Sequence, residues 1–247
     1  MPIIEELKEE KDVNEASQEE NSGADLNILR EMIGAGLIYG HNKSKTNPAF
    51  KKYIHTNRNG IDLIDLNKTL LAIDEVSGFL KQQVKENKLI LLVATQPVAK
   101  EAVERMVKEL GVSFIKRRWI GGLLTNFENI SKRIEYFKKT KEGLVKGEFA
   151  KYTKKERLNI EKDLEKMEGL FGGLESLTRL PDILFIVDTS FSGHDLAMAE
   201  ARKCGIPTVA VIDNDDNPEL VDYSVPANDH TRSSINWVID RMLSKVK

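Results

Sequence analysis

The chain reads Ile-Leu-Phe-Ile-Val at residues 183–187 and Leu-Ile-Leu-Leu-Val at residues 89–93. Neither run alternates apolar with polar residues, which is typical of strands that are buried on both faces. Parallel sheets bury their strands in this way, between two layers of helices. Helical patterns alternate with such runs along most of the chain. The sequence therefore predicts an α/β protein with a doubly wound parallel sheet.

The same alternation continues outward from these two runs. Further strands are predicted at residues 60–67, 112–116, 208–212 and 223–226, and helices at residues 26–37, 70–84, after Pro97, at 197–204 and at 235–246. Asn67 is the expected N-cap of the helix at 70–84. Ligands of such sheets meet the loops at the carboxyl ends of the strands. Polar residues gather at those ends: Thr95-Gln96, Arg117-Arg118-Trp119, Asp188-Thr189-Ser190, Asp213-Asn214 and Asn228-Asp229.

An insertion interrupts this alternation. Apolar residues step by four and three, the spacing of a coiled-coil seam, at Ile160, Leu164, Met167, Phe171 and Leu174, and a facing helix begins with Ile130, Ile134 and Phe137. Capping boxes at residues 125–128 and 153–156 predict where the two helices start. We therefore predict a coiled-coil hairpin at 131–177, inserted into an α/β domain of residues 26–130 and 178–247. Its charged surface is either a solvated face or a contact surface.

Charge is unevenly distributed along the 247 residues. Residues 1–25 hold nine acids and two lysines, a net charge of −7, so the rest of the chain carries +5 although the whole has −2. The low net charge is therefore no argument against a nucleic-acid partner. High charge with few aromatic or branched residues predicts that residues 1–25 form a disordered acidic tail.

Composition also excludes several classes of protein. No apolar run approaches the roughly 18 residues of a membrane span, and the first residues lack a signal-peptide pattern. We therefore expect a cytosolic protein without a membrane partner. Cys204 is the only cysteine, so the chain can form neither an internal disulfide nor a thiolate metal cluster. We expect Cys204 to be a small buried apolar side chain at a helix end.

Residues 41–58, the basic segment, contain two histidines and no acid. The five cations of the segment are Lys43, Lys45, Lys51, Lys52 and Arg58. Solvated loops collect lysines, but a window of this length without a carboxylate favours an anion-binding loop. Farther along the chain, Arg117 and Arg118 lie beside Trp119, at the end of a predicted strand. Guanidinium groups pair with phosphates and flat rings stack on unpaired bases, so this corner either contacts RNA or, for Trp119, packs a joint between elements.

No catalytic constellation is present in the sequence. Residues 34–40 contain three glycines, but a helix precedes them where a dinucleotide motif needs a strand. Residues 213–217 begin like a calcium loop, yet Pro218 and Ser224 replace the required glycine and glutamate. We therefore interpret Asp213, Asp215, Asp216 and Glu219 as a solvated acidic turn.

The four histidines, His41, His55, His194 and His230, show no spacing typical of metal ligands. His194 follows a Ser-Gly pair at a predicted helix start, where either a phosphate site or an ordinary turn would explain it. We predict no enzyme, no cofactor and no metal site.

Several motifs, taken in order, resemble the bacterial small-subunit ribosomal protein S2 family. They are Gly40-His41 with Asn47-Pro48, Arg-Asn-Gly-Ile at 58–61 running on to Leu66, Arg-Trp-Ile-Gly-Gly at 118–122 running on to Phe127, Leu-Pro-Asp at 180–182 running on to Asp188, Gly-Ile-Pro at 205–207, and Val-Pro-Ala-Asn-Asp at 225–229. One spacing differs, because five residues rather than six separate His41 from Asn47. Ser44-Lys45-Thr46 also stands where members commonly have Arg-Arg-Trp.

The resemblance implies a flavodoxin-like or Rossmann-like domain with an inserted helical hairpin and no catalytic activity. It implies an architectural part of the small ribosomal subunit in the cytoplasm, in contact with ribosomal RNA and neighbouring ribosomal proteins, and without a small-molecule substrate. The residues expected to face RNA are His41, Lys43, Lys45, Asn47, Lys51, Lys52, Arg58, Arg117, Arg118 and Trp119.

Two alternatives compete with that reading of the function. Doubly wound sheets often bind nucleotide-like small molecules or host enzymes, and a fold alone does not decide between functions. An RNA-binding or scaffolding protein outside the ribosome would show the same charge pattern.

Overall fold

The computed structural model describes residues 26–246, with a five-stranded parallel sheet at its centre. The strands of this sheet are β4 (Ile90–Val93), β5 (Ser113–Ile115), β6 (Ile183–Val187), β7 (Thr208–Ile212) and β8 (Tyr223–Pro226). Their order is β5-β4-β6-β7-β8, and every neighbouring pair is parallel. All residues of β4, β6 and β7 are buried. The predicted doubly wound α/β class is therefore confirmed.

Helices cover both faces of the sheet. They are α1 (residues 26–35), α2 (Leu66–Lys85), α3 (Lys100–Leu110), α4 (Phe127–Val145), α5 (Lys154–Phe171), α6 (His194–Cys204) and α7 (Arg232–Val246). Alternate strand residues point to opposite faces, so Leu92 and Phe185 share one core with α1, α2, α3 and α7. Leu91 and Ile186 share the other core with α6 and the sheet-proximal parts of α4 and α5. No helix of the described residues is long and apolar enough to cross a bilayer.

A second, three-stranded antiparallel sheet precedes the large one in the chain. It contains β1 (Tyr39–Asn42), β2 (Ile54–Arg58) and β3 (Ile61–Ile64), in the order β1-β3-β2. The basic segment was expected to be a loop, but it supplies part of β1 and all of β2. Between them lie two 3-10 turns, Lys43–Lys45 and Pro48–Tyr53. The strands were missed because the segment is mostly exposed and polar, so no apolar alternation marks it.

Helices α4 and α5 contact each other and lie between β5 and β6 in the chain. A 3-10 turn at Glu148–Lys151 joins them. Ile130, Ile134 and Phe137 of α4 pack against Phe171 and the following Leu174 in the same core as the sheet. The inserted helix pair is thus present. Its supercoiling and the domain limits at residues 131 and 177 stay predictions.

Of the three predicted helix caps, one is confirmed and two are wrong. The capping box of α5 is confirmed, with Thr153 and Glu156 bonded to each other's backbone N–H groups. The box at residues 125–128 is wrong, because Asn126 precedes α4 without a side-chain cap and the Thr125 side chain bonds elsewhere. At α2 the N-cap is Asp65, whose carboxylate accepts from the Asn67 N–H, so the expected cap lies two residues too late.

Two expectations about burial are also corrected. Cys204 is exposed, since the buried stripe of α6 ends at Ala201 and the chain turns at Gly205. In the expected acidic turn, Asp213 and Asp216 are buried, and only Glu219 is fully exposed. The predicted acidic tail lies outside the described residues.

Candidate nucleic-acid interface

Asn214, which follows the carboxyl end of β7, forms hydrogen bonds to the basic segment. The Asn214 side chain accepts from the His41 N–H at 2.6 Å and donates to the His41 carbonyl at 3.1 Å and to Thr46 Oγ1 at 2.8 Å. Its carbonyl accepts from the Asn47 N–H at 2.7 Å. Gly40 permits this approach, because a Cβ there would lie 3.0 Å from Asn214 and Asp213. The segment is therefore held in one position by the sheet edge.

The cations of the basic segment lie at the protein surface. Lys43, Lys45, Lys51, Lys52 and Arg58 are all exposed. Among the described residues, no carboxylate lies within salt-bridge distance of any of the five. Asn47 plays a different part, since its side chain is half-buried and accepts from the Ala49 N–H as a turn cap. The segment thus presents exposed cations without salt bridges on a fixed backbone, which suits a polyanion.

The 116–126 loop connects β5 to α4 and contains the second group of predicted site residues. Arg117 and Arg118 are exposed, as an RNA contact requires. Trp119 is only 6% exposed, and its indole N–H donates to Glu200 at 3.0 Å. The buried ring favours the packing role for Trp119, one of the two roles that the sequence left open.

Glu200 on α6 holds the 116–126 loop together. Its buried carboxylate accepts from the N–H groups of Gly122 at 2.8 Å and Leu124 at 3.0 Å, and from both the N–H and the hydroxyl of Thr125 at 3.3 Å. Burial alone would raise the pKa of Glu200, but the bonds from Trp119 and these backbone groups outweigh it and hold the pKa below its ordinary value. The sequence offered no signal for Glu200, which lies far from the loop in the chain.

The switch point of the sheet, between β4 and β6, is filled by a side chain. His194 at the start of α6 is fully buried, and its ring bonds to the Asp188 carbonyl and to Thr95 Oγ1. Burial lowers the pKa of His194, which favours the neutral ring. Of the two explanations for His194, the structure therefore favours a turn residue over a phosphate site. Nucleotides bind at this crevice in related architectures, and here the His194 ring lies in it.

Histidines and aspartates converge at the carboxyl ends of β6, β7 and β8, near His41. His41 Nδ1 lies 3.3 Å from Asp213 Oδ2 and 3.5 Å from Asp215 Oδ1. His230 Nδ1 lies 3.5 Å from Asp229 Oδ1, and the two histidine rings meet edge-on at 4.4 Å. The acidic-histidine cluster consists of His41, Asp188, Asp213, Asp215, Asp216, Asp229 and His230.

Several buried carboxylate oxygens of this cluster have no hydrogen-bond partner within the described residues. Asp229 is 1% exposed, and neither of its carboxylate oxygens has a hydrogen bond within the described residues. Burial, together with the charge of Asp188 and other neighbours, raises the pKa of Asp229 well above its ordinary value. Burial likewise raises the pKa of Asp216 to about 7. The Asp213 carboxylate raises the pKa of His41, because it stabilises the imidazolium.

Two triads of the cluster have the geometry of cation ligands. The donor atoms of His41, Asp215 and His230 lie within 4.8 Å of one another, and so do those of Asp188, Asp229 and His230. Imidazole and carboxylate together suit zinc-like divalent ions, and an ion would satisfy the unpaired oxygens. No ligand spacing revealed these triads, because His41, Asp188 and Asp215 are far in the chain from the adjacent Asp229 and His230.

The sequence of this chain has counterparts among known proteins. The family model described as ribosomal protein S2 matches residues 32–247. The chain belongs to the ribosomal protein S2 family. The relative from Dehalococcoides mccartyi, named small ribosomal subunit protein uS2, is 38% identical over 88% of both chains.

Two further relatives carry the same name. The protein of Dictyoglomus thermophilum is 37% identical, and the match covers 89% of this chain and 88% of the relative. That of Petrotoga mobilis is 38% identical, with 88% of this chain and 75% of the relative covered. Ribosomal protein S2 is a structural family of the bacterial cytoplasm, so the predictions of a non-enzymatic ribosomal protein and of its location are confirmed.

Proposed function

We propose that this protein is a constituent of the small ribosomal subunit that binds ribosomal RNA and neighbouring ribosomal proteins. The observation that carries the RNA contact is the basic segment. Its five cations are exposed, none has a carboxylate within salt-bridge distance among residues 26–246, and its backbone is fixed to the sheet edge through Asn214. Cations held in place lose little freedom on binding and release counterions from the phosphates. Arg117 and Arg118 extend the proposed contact, whereas His41 and Asn47 position the segment.

The buried, doubly bonded His194 ring at the switch point weighs against the alternative of a nucleotide-binding enzyme. His194 occupies the crevice where such a ligand would bind, and its two ring nitrogens are already bonded. The inserted helix pair is the second proposed contact. Its α5 begins with exposed cations at Lys154, Lys155 and Arg157.

Charge reversal in the basic segment tests the proposal. We expect Lys43→Glu with Lys45→Glu to reduce co-sedimentation with small subunits at physiological salt, because two phosphate contacts are lost. The slope of log affinity against log salt should fall in magnitude by roughly 1.4 to 1.8. Affinity for subunits depleted of this protein, measured at several salt concentrations, gives both quantities.

Lys85→Glu with Lys203→Glu is the matched control, since both lysines are exposed and lie outside the basic segment. The control changes the net charge equally and should sediment like the unmodified protein. Normal co-sedimentation of the Lys43/Lys45 variant would remove the basic segment from the interface.

A further inference from the structure

A cleft of about 540 Å³ opens beside α3, at the carboxyl ends of β4 and β5. Val103 and Val107 of α3 form one apolar wall, and Phe114 of β5 contributes an aromatic ring. Ligand sites are typically concave and largely apolar, with a few polar groups that fix orientation. The cleft lies apart from the basic segment, and Arg117 is the one predicted site residue that lines it.

The rim of this cleft is positively charged. Lys100, Lys108, Lys116 and Arg117 line it, all exposed, against a single acid, Glu104. Glu104 lies 4.0 Å from Lys100, so it neutralises at most one of the four cations. The cleft also includes Pro97, in the turn that leads into the first residues of α3, and a helix N-terminus favours negative charge. The rim therefore suits an anion.

Gln96 adds a polar group to the cleft that lacks a partner. Its side chain is 5% exposed and lines the cleft, and its Nε2 forms no hydrogen bond within the described residues. Leaving a buried amide N–H unpaired is unfavourable. Nε2 is covered in this structure, so a ligand acceptor would supply the missing bond once the Gln96 side chain turns toward the cleft.

We propose that this cleft receives an unstacked nucleotide of single-stranded RNA, an inference that rests on the proposed function. The base lies against Val103, Val107 and the Phe114 ring, an acceptor on the base edge takes the Gln96 N–H, and the phosphates meet the lysines and Arg117. Splayed bases of single strands are bound through this combination of apolar contact, edge hydrogen bonds and cations. An acidic peptide would supply anions and apolar groups, but a nucleotide combines them with a polar edge in one rigid unit.

Amide NMR spectra of the free full-length protein test the assignment, with a single-stranded hexaadenylate, adenosine monophosphate and inorganic phosphate as probes. We expect the hexaadenylate to shift the amides of residues 94–97, 103–107 and 114–117, more strongly than either small probe. Gln96→Leu should weaken hexaadenylate binding by about tenfold, within the range measured for losing one base contact. Lys108→Glu with Lys116→Glu should weaken it further and should also reduce its dependence on salt.

The Lys43/Lys45 variant serves as the control and should keep the hexaadenylate shifts at the cleft. Shifts confined to residues 41–58 would overturn the cleft assignment. Equal affinity for adenosine monophosphate and hexaadenylate would indicate a free nucleotide ligand, and equal affinity for inorganic phosphate an anion-binding rim only. Displacement by a glutamate-leucine peptide at lower concentration would assign the cleft to a protein partner. None of these results decides the co-sedimentation test of the proposed function, because that test depends on Lys43 and Lys45.

Discussion

Glu200 fixes a loop that carries two candidate RNA contacts. One carboxylate accepts hydrogen bonds from Trp119, Gly122, Leu124 and Thr125, so the backbone after β5 has a single geometry. Arg117 and Arg118 are exposed at the start of that loop, and the Arg117 guanidinium lies beside Gly169 of α5. The position of their backbone therefore depends on a buried residue of α6.

We predict that Glu200→Gln lowers the free energy of unfolding by about 2 to 3 kcal/mol at pH 7, because charge-assisted bonds are lost and an amide N–H₂ faces backbone donors. The pKa of Glu200 is lowered in the folded state, so its stabilisation is present above the unfolded-state pKa and is lost as the pH falls through the folded-state pKa. The difference between the two proteins should therefore shrink on acidification. Urea unfolding at pH 7 and below pH 4 measures it.

Glu161→Gln on α5 is the control for this prediction, since Glu161 is exposed and its change removes the same charge. A Glu200→Gln protein as stable as the control at pH 7 would show that the loop does not depend on the carboxylate.

At single positions, the sequence predicted the charge of the surface well, but it did not predict which side chains of the site are buried. The exposed cations of the basic segment followed from a charge count, because charge is a local property of the sequence. Trp119 and Asp229 did not, because their burial depends on partners that distant parts of the chain bring near. Asp213 and Asp216 were interpreted as solvated for the same reason, since nothing local shows that three strands end around them.

Among the elements, the joint between the inserted helix pair and the sheet leaves no room for a side chain at Gly173. The Gly173 carbonyl accepts from the Phe114 N–H at 2.8 Å, which extends the edge of β5. A Cβ on Gly173 would lie 2.2 Å from the Phe114 carbonyl oxygen. Glycine is therefore required after the end of α5 because a side chain would not fit there, and not because of the backbone torsion angles.

We predict that Gly173→Ala lowers the free energy of unfolding by about 1 to 3 kcal/mol, the usual cost of overpacking. Gly78→Ala makes the same change inside α2, where nothing lies within 4 Å of the new Cβ. That control should instead raise stability by about 1 kcal/mol, as expected for alanine in a helix. Thermal unfolding of both variants compares them directly, and a stable Gly173→Ala protein would mean that the joint can open without cost.

The elements show which local signals are sufficient. Strands β4, β6 and β7 were predictable because burial on both faces leaves continuous apolar runs. The α5 capping box was predictable because both of its members belong to one turn. The box at residues 125–128 failed because Glu200, from another element, binds Thr125 instead.

Across the whole molecule, positive charge lies on surfaces that the two sheets and the inserted helix pair hold apart. The basic segment is attached at the carboxyl edge of the sheet, and its first residue, His41, belongs to the acidic-histidine cluster. The family and the fold class were predictable because their motifs recur in a fixed order. The cluster and the cleft beside α3 were not, since each is assembled only when several strands end side by side.

The inserted helix pair allows a last prediction, on whether its charged face is a contact or merely solvated. Lys154, Lys155 and Arg157 are exposed at the start of α5, far along the chain from the residues that pack on the sheet. Reversing all three charges should leave stability nearly unchanged, because surface substitutions usually change it by less than about 0.5 kcal/mol.

If this face meets RNA, the variant should bind depleted subunits more weakly, with a salt slope smaller by roughly 2 to 3. The basic segment and the start of α5 lie on different elements, so the loss of binding free energy in a combined variant should equal the sum of the two separate losses. Binding isotherms at several salt concentrations decide the matter: an unchanged slope with unchanged affinity would identify the face as solvated and restrict the RNA contact to the α/β body.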